Sequence, residues 1–288
     1  MPIDRDRALG AVLPESTSSW TEDDVILYHL GVGAGVPATD PSELAYCYEA
    51  NLKVLPSYAT TLPFQLLAHL GSVEGLDFNF AMLLHGEQDL HVHQPLPTAA
   101  TVTHRGSVVE IWDKGKGALV VLEVVTTDKA NDPLFTNRYS VFLRGEGGFG
   151  GPGGPGARNL APEREPDHTV ESPTMAQQAL LYRLSGDKNP LHADPNFAAL
   201  GGFDRPILHG LCSFGIACKA VVDGVLGGDV SRVERFEGRF TGPVFPGETL
   251  VTSVWRDGNS YLLSVATNER RSPVLSNAAL TVKGTLDE

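Results

Sequence analysis

The stretch YRLSGDKNPLHADPNFA, Tyr182 to Ala198, decides how this chain is read. Asp187, Asn189 and His192 are crowded into it, and Gly186 and Pro190 interrupt it, so it is not one unbroken helix. A bend there aims two titratable side chains at one point, as general acid–base chemistry requires. Gly, Asp, Asn and Pro are also the ordinary residues of a solvated turn, and these residues alone leave both readings open.

The residues that follow favour chemistry. After a second turn, GGFDRP (Gly201 to Pro206), comes ILHGLCSFGIACKAVVDGVLGG, Ile207 to Gly228. Leu211, Phe214, Cys218, Val221, Val222 and Val225 recur at three- and four-residue steps, the pattern of a helix with a buried face. The run is apolar nearly all round, which predicts a central core helix. Gly210 lies near its start, where backbone N–H groups lack partners and the helix dipole is positive. With no side chain in the way, a ligand carbonyl comes close there, and developing negative charge meets donors.

These residues resemble a known family. With G-D-x-N-P-L-H at its centre, the stretch looks like the signature of the MaoC-like, or type 2, (R)-specific enoyl-CoA hydratases, and the ILHGL run is similar to that family's central helix. The resemblance implies an α+β fold of the hot-dog kind, a long helix wrapped by a curved antiparallel sheet. It implies Asp187 and His192 as the catalytic pair, Asn189 as their support and Gly210 as the oxyanion donor. Lys188, Pro190 and Leu191, inside the motif, are then substrate contacts. Two stretches of the first half resemble the same family: LLHGEQDL (Leu83 to Leu90) and WDKGKGA (Trp112 to Ala118). They imply that His85, Gly86 and Lys114 bind the acyl-CoA, with Phe240 of GRFTGPVFPGETL as a further contact. A cation on a Gly-flanked turn is able to reach a CoA phosphate. The residues taken singly leave open a solvated lysine at 114 and a structural histidine at 85.

The 288 residues suffice for one large domain or two ordinary ones. A hydrophobic content of 42% with 20% charged residues reads as a soluble globular chain. The net charge of −13 argues against nucleic acid, which wants clustered Lys and Arg, but allows a polyanionic ligand such as CoA at a local basic patch. Cys47, Cys212 and Cys218 are a sparse, odd set, two of them in the apolar helix, which favours a reducing, cytoplasmic compartment. The opening MPIDRDRALGAVLPES lacks the apolar core of a signal peptide, and no run approaches a membrane span.

In the first half, TEDDVILYHL (Thr21 to Leu30) carries a threonine N-cap and an acidic first turn, so it reads as a helix. VLPSYATTLPFQLLAHL, within Tyr46 to Leu70, is a second candidate buried helix, with Pro56 and Pro63 leaving its start open. From Ala81 to Arg144 the reading is β: Thr101 to Trp112, Ala118 to Thr127 and Phe135 to Arg144 form a meander through the turns DKGKG and DKANDP. GEGGFGGPGGPG (Gly145 to Gly156) contains G-x-G-x-x-G but runs into more Gly and Pro rather than opening a helix, so it reads as a flexible linker.

Beyond the linker the order repeats: helix-forming YRLSGDKN, turn, apolar helix, then strands Arg235 to Gly242, Thr249 to Trp255, Ser260 to Asn268 and Ser276 to Val282. The offset that lays Tyr28 on Tyr182 puts Gly33 opposite Asp187, and a shift of one residue lays VLPSY over ILHGL. The expected organisation is a double hot-dog sharing one sheet: a catalytically degenerate unit over 1–144, a linker over 145–158 and a catalytic unit over 159–288. By the resemblance, loss of the first unit's catalytic loop makes room for bulky acyl chains, and the chain is a homodimer.

His91 and His93, two apart on a strand, face one side as a metal pair would, but no third ligand stands at a convincing spacing, so no metal is expected. No G-x-S-x-G elbow or cysteine nucleophile is present. His209, beside Gly210, leaves a catalytic role open, but its place in the helix entry favours a structural one. The expected reaction adds water across the double bond of a trans-2-enoyl thioester, with Asp187 and His192 holding the water and Gly210 meeting the charge on the thioester oxygen. No cofactor is needed beyond the CoA of the substrate. An acyl-CoA thioesterase and a non-catalytic acyl-thioester-binding subunit are the alternatives; CoA or acyl carrier protein as the carrier is left open.

Overall fold

A computed structural model of the chain describes residues 3–284. Ten strands form one antiparallel sheet: β1 (Ser16–Trp20), β2 (Leu83–Val92), β3 (Ala100–Asp113), β4 (Gly117–Thr127), β5 (Pro133–Arg144), β6 (His168–Pro173), β7 (Val233–Phe240), β8 (Thr249–Asp257), β9 (Ser260–Thr267) and β10 (Pro273–Val282). Their order across the sheet is β1-β3-β4-β5-β2-β7-β10-β9-β8-β6, so strands of the first half lie on one side of the β2–β7 seam and those of the second on the other. The seam is in register from Glu87 opposite Arg239 to His91 opposite Arg235. Arg235 grips Asp89 with two bonds of 2.8 and 2.7 Å, and Arg239 reaches Glu87 at 2.7 Å. This is the expected α+β double hot-dog with a shared sheet.

The apolar run of the second half folds as the helix Gly210–Leu226, ended by Gly227 in the left-handed region (φ 63°). Leu211, Cys212, Phe214, Ala217, Cys218, Val221, Val222 and Leu226 are buried in it, and the sheet wraps them. The helix Glu22–Gly31 crosses this central helix at Gly215, where an added β-carbon would lie 2.5 Å from Tyr28 Oη and 2.7 Å from Val32 Cγ1. Its first turn is held as read, with the Thr21 N–H donating to the Asp24 carboxylate at 2.8 Å. The short helix Gln178–Tyr182 packs beside it, the Gln178 amide donating to the Gly31 carbonyl at 2.6 Å and the two tyrosine rings, 28 and 182, lying 6.0 Å apart.

The expected second buried helix does not form. VLPSYATTLPFQLLAHL gives two 3-10 segments, Pro56–Thr60 and Phe64–Ser72, broken at Pro63. Pro63 has no N–H to give the Ala59 carbonyl, and side chains of β5 satisfy the carbonyls at the break: Asn137 Nδ2 donates to Ala59 and the Tyr139 hydroxyl to Thr60. The reading of YRLSGDKN as helix-forming is also corrected, since the helix stops at Tyr182 and a single 3-10 turn, Arg183–Ser185, leads into the bend. Two strands escaped the sequence reading, β1 and β6, both short polar edge strands without apolar alternation.

The Gly/Pro-rich stretch has no regular structure, yet it is not a free linker. The Asp113 carboxylate accepts the N–H groups of Gly148 and Gly150 at 2.9 and 2.8 Å, and the Asp113 N–H donates to the Pro152 carbonyl at 2.9 Å. Glycine is required at 147, where a β-carbon would meet the Gly115 carbonyl at 2.4 Å. Among the described residues no helix is long and apolar enough to cross a membrane.

Because the two halves touch so closely at Gly215, Gly215→Val should destabilise the chain by about 2 kcal/mol in urea unfolding, the scale of overpacking a core. Adding Tyr28→Phe, which removes the nearest atom, should restore part of that loss.

Candidate active site

Gly186, with φ at +129°, turns the chain out of the 3-10 helix in a conformation that side chains rarely adopt. The bend that follows is built from its own short side chains. Asp187 Oδ1 accepts the Asn189 N–H at 3.0 Å, and Asn189 Oδ1 accepts the Leu191 N–H at 3.0 Å, capping the 3-10 turn Pro190–His192. Asn189 thus shapes the loop, as expected of it. Lys188, Asn189 and Pro190 are exposed and Leu191 is half-buried, while His192 is buried.

His192 Nδ1 lies 2.9 Å from the Ile207 carbonyl, an acceptor only, so Nδ1 carries the proton and Nε2 keeps its lone pair. Burial is the main cause that lowers its pKa below the ordinary imidazole value; the bond to Ile207 and the nearby Asp187 carboxylate pull the other way. The ring is therefore neutral and basic at Nε2. His209 stacks on it, ring centres 3.8 Å apart and planes at 29°, and its Nε2 donates to the Asp187 backbone carbonyl at 3.2 Å. Burial, reinforced by His192, drives the His209 pKa down to about 2. The sequence reading weighs a catalytic role for His209 and favours a structural one; its position before Gly210 is the one available signal.

Asp187, His192 and His209 each bring a donor atom to within 4.8 Å of the others, a grouping that a metal ion is able to use. The geometry of the rings speaks against one. An imidazole holds a metal in its own ring plane, and two stacked, nearly parallel rings do not direct their lone pairs to a common point. His91 and His93 lie with ring centres 4.5 Å apart, His91 near Glu234 and His93 bonded to Thr136, on the outer part of the seam.

Gly210 opens the central helix and is exposed, and as the first helical residue its N–H has no partner within the helix. A β-carbon there would touch the Phe240 ring at 3.2 Å. The His85 ring lies 4.9 Å from that of Phe240, and Gly86 occupies the bulge of β2 where the register with β5 shifts. Gly210, Phe240 and His85 thus form one row across the seam. A cavity of about 730 Å³ runs from Gly186, Asp187 and Lys188 along Phe64, Leu67 and Phe80 of the first half. Lys114 is elsewhere: its ammonium donates to the Gly153 carbonyl, in a separate cavity with Trp112, Arg158 and Arg239.

Two family models divide the chain, the MFE-2 hydratase 2 N-terminal domain over residues 18–145 and the MaoC-like domain over residues 158–277. Enoyl-CoA hydratase ChsH3 of Mycobacterium tuberculosis is 45% identical over 277 residues, covering 96% of this chain and 97% of its own. The peroxisomal enoyl-CoA hydratase 2 of Arabidopsis thaliana is 40% identical over 287 residues, 94% of this chain and 93% of its own. The crystal structure of a MaoC-like dehydratase from Phytophthora capsici superimposes with a TM-score of 0.89 at 33% identity, covering 98% of both chains. The fold and these relatives define a double hot-dog hydro-lyase. Within that class, the chain belongs to the MaoC-like family of type 2, (R)-specific enoyl-CoA hydratases.

The bend depends on a backbone conformation that a β-carbon strains by about 1–3 kcal/mol. Gly186→Ala should lower hydratase kcat at least tenfold while a thermal melt moves only a few degrees, because the exposed loop gives way before the core does.

Proposed function

We propose that the chain adds water across the double bond of trans-2-enoyl thioesters, giving the (3R)-hydroxyacyl product, and catalyses the reverse dehydration. The observation that carries this reading is the bare Nε2 of a neutral His192 grouped with the Asp187 carboxylate, with Gly210 following the stacked His209 at the helix start. A water held between the pair loses a proton to it as the hydroxyl adds to C3, and the pair returns a proton to C2. Negative charge gathers on the thioester oxygen in between, where the Gly210 N–H and the helix start meet it. The substrate supplies its own CoA, and no further cofactor enters the scheme.

The division of labour follows the halves: residues 159–288 carry the chemistry, residues 1–144 bind the acyl group and 145–158 join them. Support for the first half as the acyl-binding part is the cavity beyond Asp187, walled by Phe64, Leu66, Leu67 and Phe80, the first three on the 3-10 segment Phe64–Ser72. His85, Gly86 and Phe240, grouped beside Gly210, fit contacts at the thioester end, and exposed Lys188 and Pro190 with half-buried Leu191 fit contacts at the entrance. Lys114 would reach a CoA phosphate only by leaving its bond to Gly153. The three free cysteines fit a cytoplasmic setting. Exposed Leu184, Phe197 and Leu200 near the bend fit a homodimer, which light scattering on the pure chain should report as twice the mass of 30.8 kDa.

Asp187→Asn and His192→Ala should each lower kcat by about 10²–10⁴, read as loss of enoyl-thioester absorbance. The pH profile has a definite sign. His192 serves as base only while neutral, and its pKa lies below the ordinary 6.5, so the rate should stay level through neutrality and fall on acidification below that value. Near-wild-type turnover in either variant would sink the mechanism. Release of free CoA from a saturated acyl-CoA would instead favour a thioesterase, and tight binding with no absorbance change a binding subunit.

A further inference from the structure

We infer that His209 is a positioning residue for this reaction, holding the carboxylate-bearing bend and the plane of the His192 ring in one arrangement; this rests on the hydratase reading above. Three contacts carry it. The Nε2–H of His209 donates to the backbone carbonyl of Asp187 at 3.2 Å, tying down the residue whose carboxylate is to act. Its ring stacks on His192 at 3.8 Å. His192 is thereby fixed twice, in plane by the stack and in rotation by the bond from Nδ1 to Ile207, so Nε2 has one direction left.

The third contact fixes His209 itself. It is the N-cap of the central helix, its carbonyl accepting the N–H groups of Cys212 and Ser213 at 3.1 and 3.2 Å. Its other ring neighbour is Tyr182, 4.9 Å away, at the end of the helix that precedes the bend. The residue therefore joins the helix that presents Gly210 to both halves of the acid–base pair, and the relative placement of donor, carboxylate and base runs through it.

His209 also differs from the chain's other fully buried histidines. His29 uses both ring nitrogens, one to the Tyr46 carbonyl and one to the Leu55 N–H, and His104 uses both, to Ser18 and Thr126. In His209 the nitrogen Nδ1 is buried without a partner. A histidine present only to hold the fold would have both nitrogens satisfied, whereas here a stability cost is tolerated beside the reacting groups. The unpartnered lone pair also makes the required tautomer unambiguous: the proton sits on Nε2, against Asp187.

The test uses the full chain, trans-2-decenoyl-CoA as probe, and two substitutions that separate the contacts. His209→Phe keeps a ring to stack but has no donor; His209→Gln keeps an N–H able to reach the Asp187 carbonyl. The expected result is a fall in kcat of about thirtyfold or more for the phenylalanine variant, KM within threefold, and recovery to within about fivefold of wild type by glutamine. Where the phenylalanine variant does not fold, His209→Asn, one methylene too short to reach the carbonyl, replaces it in the comparison. The pH profile adds a second readout. His192 is faced by Asp187, Arg183 and His209, and exchanging a packed ring for a hydrated amide in His209→Gln should move the acid limb of kcat upward toward pH 6.5. A kcat within threefold of wild type without the donor, a loss confined to KM, an unmoved acid limb, or a glutamine variant no better than the one lacking the donor overturns the inference. Asp187→Asn run in parallel separates the two readings: if it is inactive while the His209 variants are normal, only the positioning role falls.

Discussion

Antiparallel pairing of β2 with β7 is the constraint on which the rest of this structure depends. Without it each half is a five-stranded sheet with an open edge, the kind of surface that pairs with other chains. With it, the sheet is continuous, and the central helix of the second half packs against elements of both. The seam is secured by ion pairs of Asp89 and Glu87 with Arg235 and Arg239, partly exposed charges whose worth lies more in fixing register than in adding stability. Register matters here because a slip by one residue would turn every side chain of β7 to the other face. Phe240, at the end of that strand, would then leave Gly210 and His85.

The two units are alike in order but not in content. Only the second keeps a long α-helix and the bend that faces its start; the first has 3-10 segments where its own helix would be. That difference has a consequence for function. The 3-10 segment Phe64–Ser72 lines the cavity beyond Asp187 with Phe64, Leu66 and Leu67. On the proposed reading, the first half shapes the room for substrate and the second supplies the chemistry, in keeping with the hydro-lyase family to which the chain belongs.

Much was legible in the sequence because the signals were local. Gly186 and Pro190 mark a bend wherever they occur together with Asp and Asn, and the apolar run after Ile207 has a period that only a buried helix explains. The long strands of the first half showed as β-branched and aromatic runs between turns. What failed was decided by partners distant in sequence. Nothing within VLPSYATTLPFQLLAHL announces that Asn137 and Tyr139 will claim its carbonyls. Nothing within GEGGFGGPGGPG announces that Asp113 will pin its N–H groups, and composition alone made it a flexible linker. The edge strands β1 and β6 alternate half-buried with exposed positions, but their short polar sequences STSSW and HTVESP carry no apolar signal of it.

The sequence by itself determined the pair Asp187 and His192, the open glycine at the head of the core helix and the doubling of the fold. The first two rest on residue type and spacing over a few turns of chain, the doubling on the order of elements in the two halves and the family resemblance. Only the tertiary structure decided which nitrogen of His192 is bare, that His209 stacks on it, and that Lys114 lies in a different cavity from Asp187. Protonation and direction of a side chain are set by what surrounds it in space, and for these residues the deciding neighbours come from other segments of the chain.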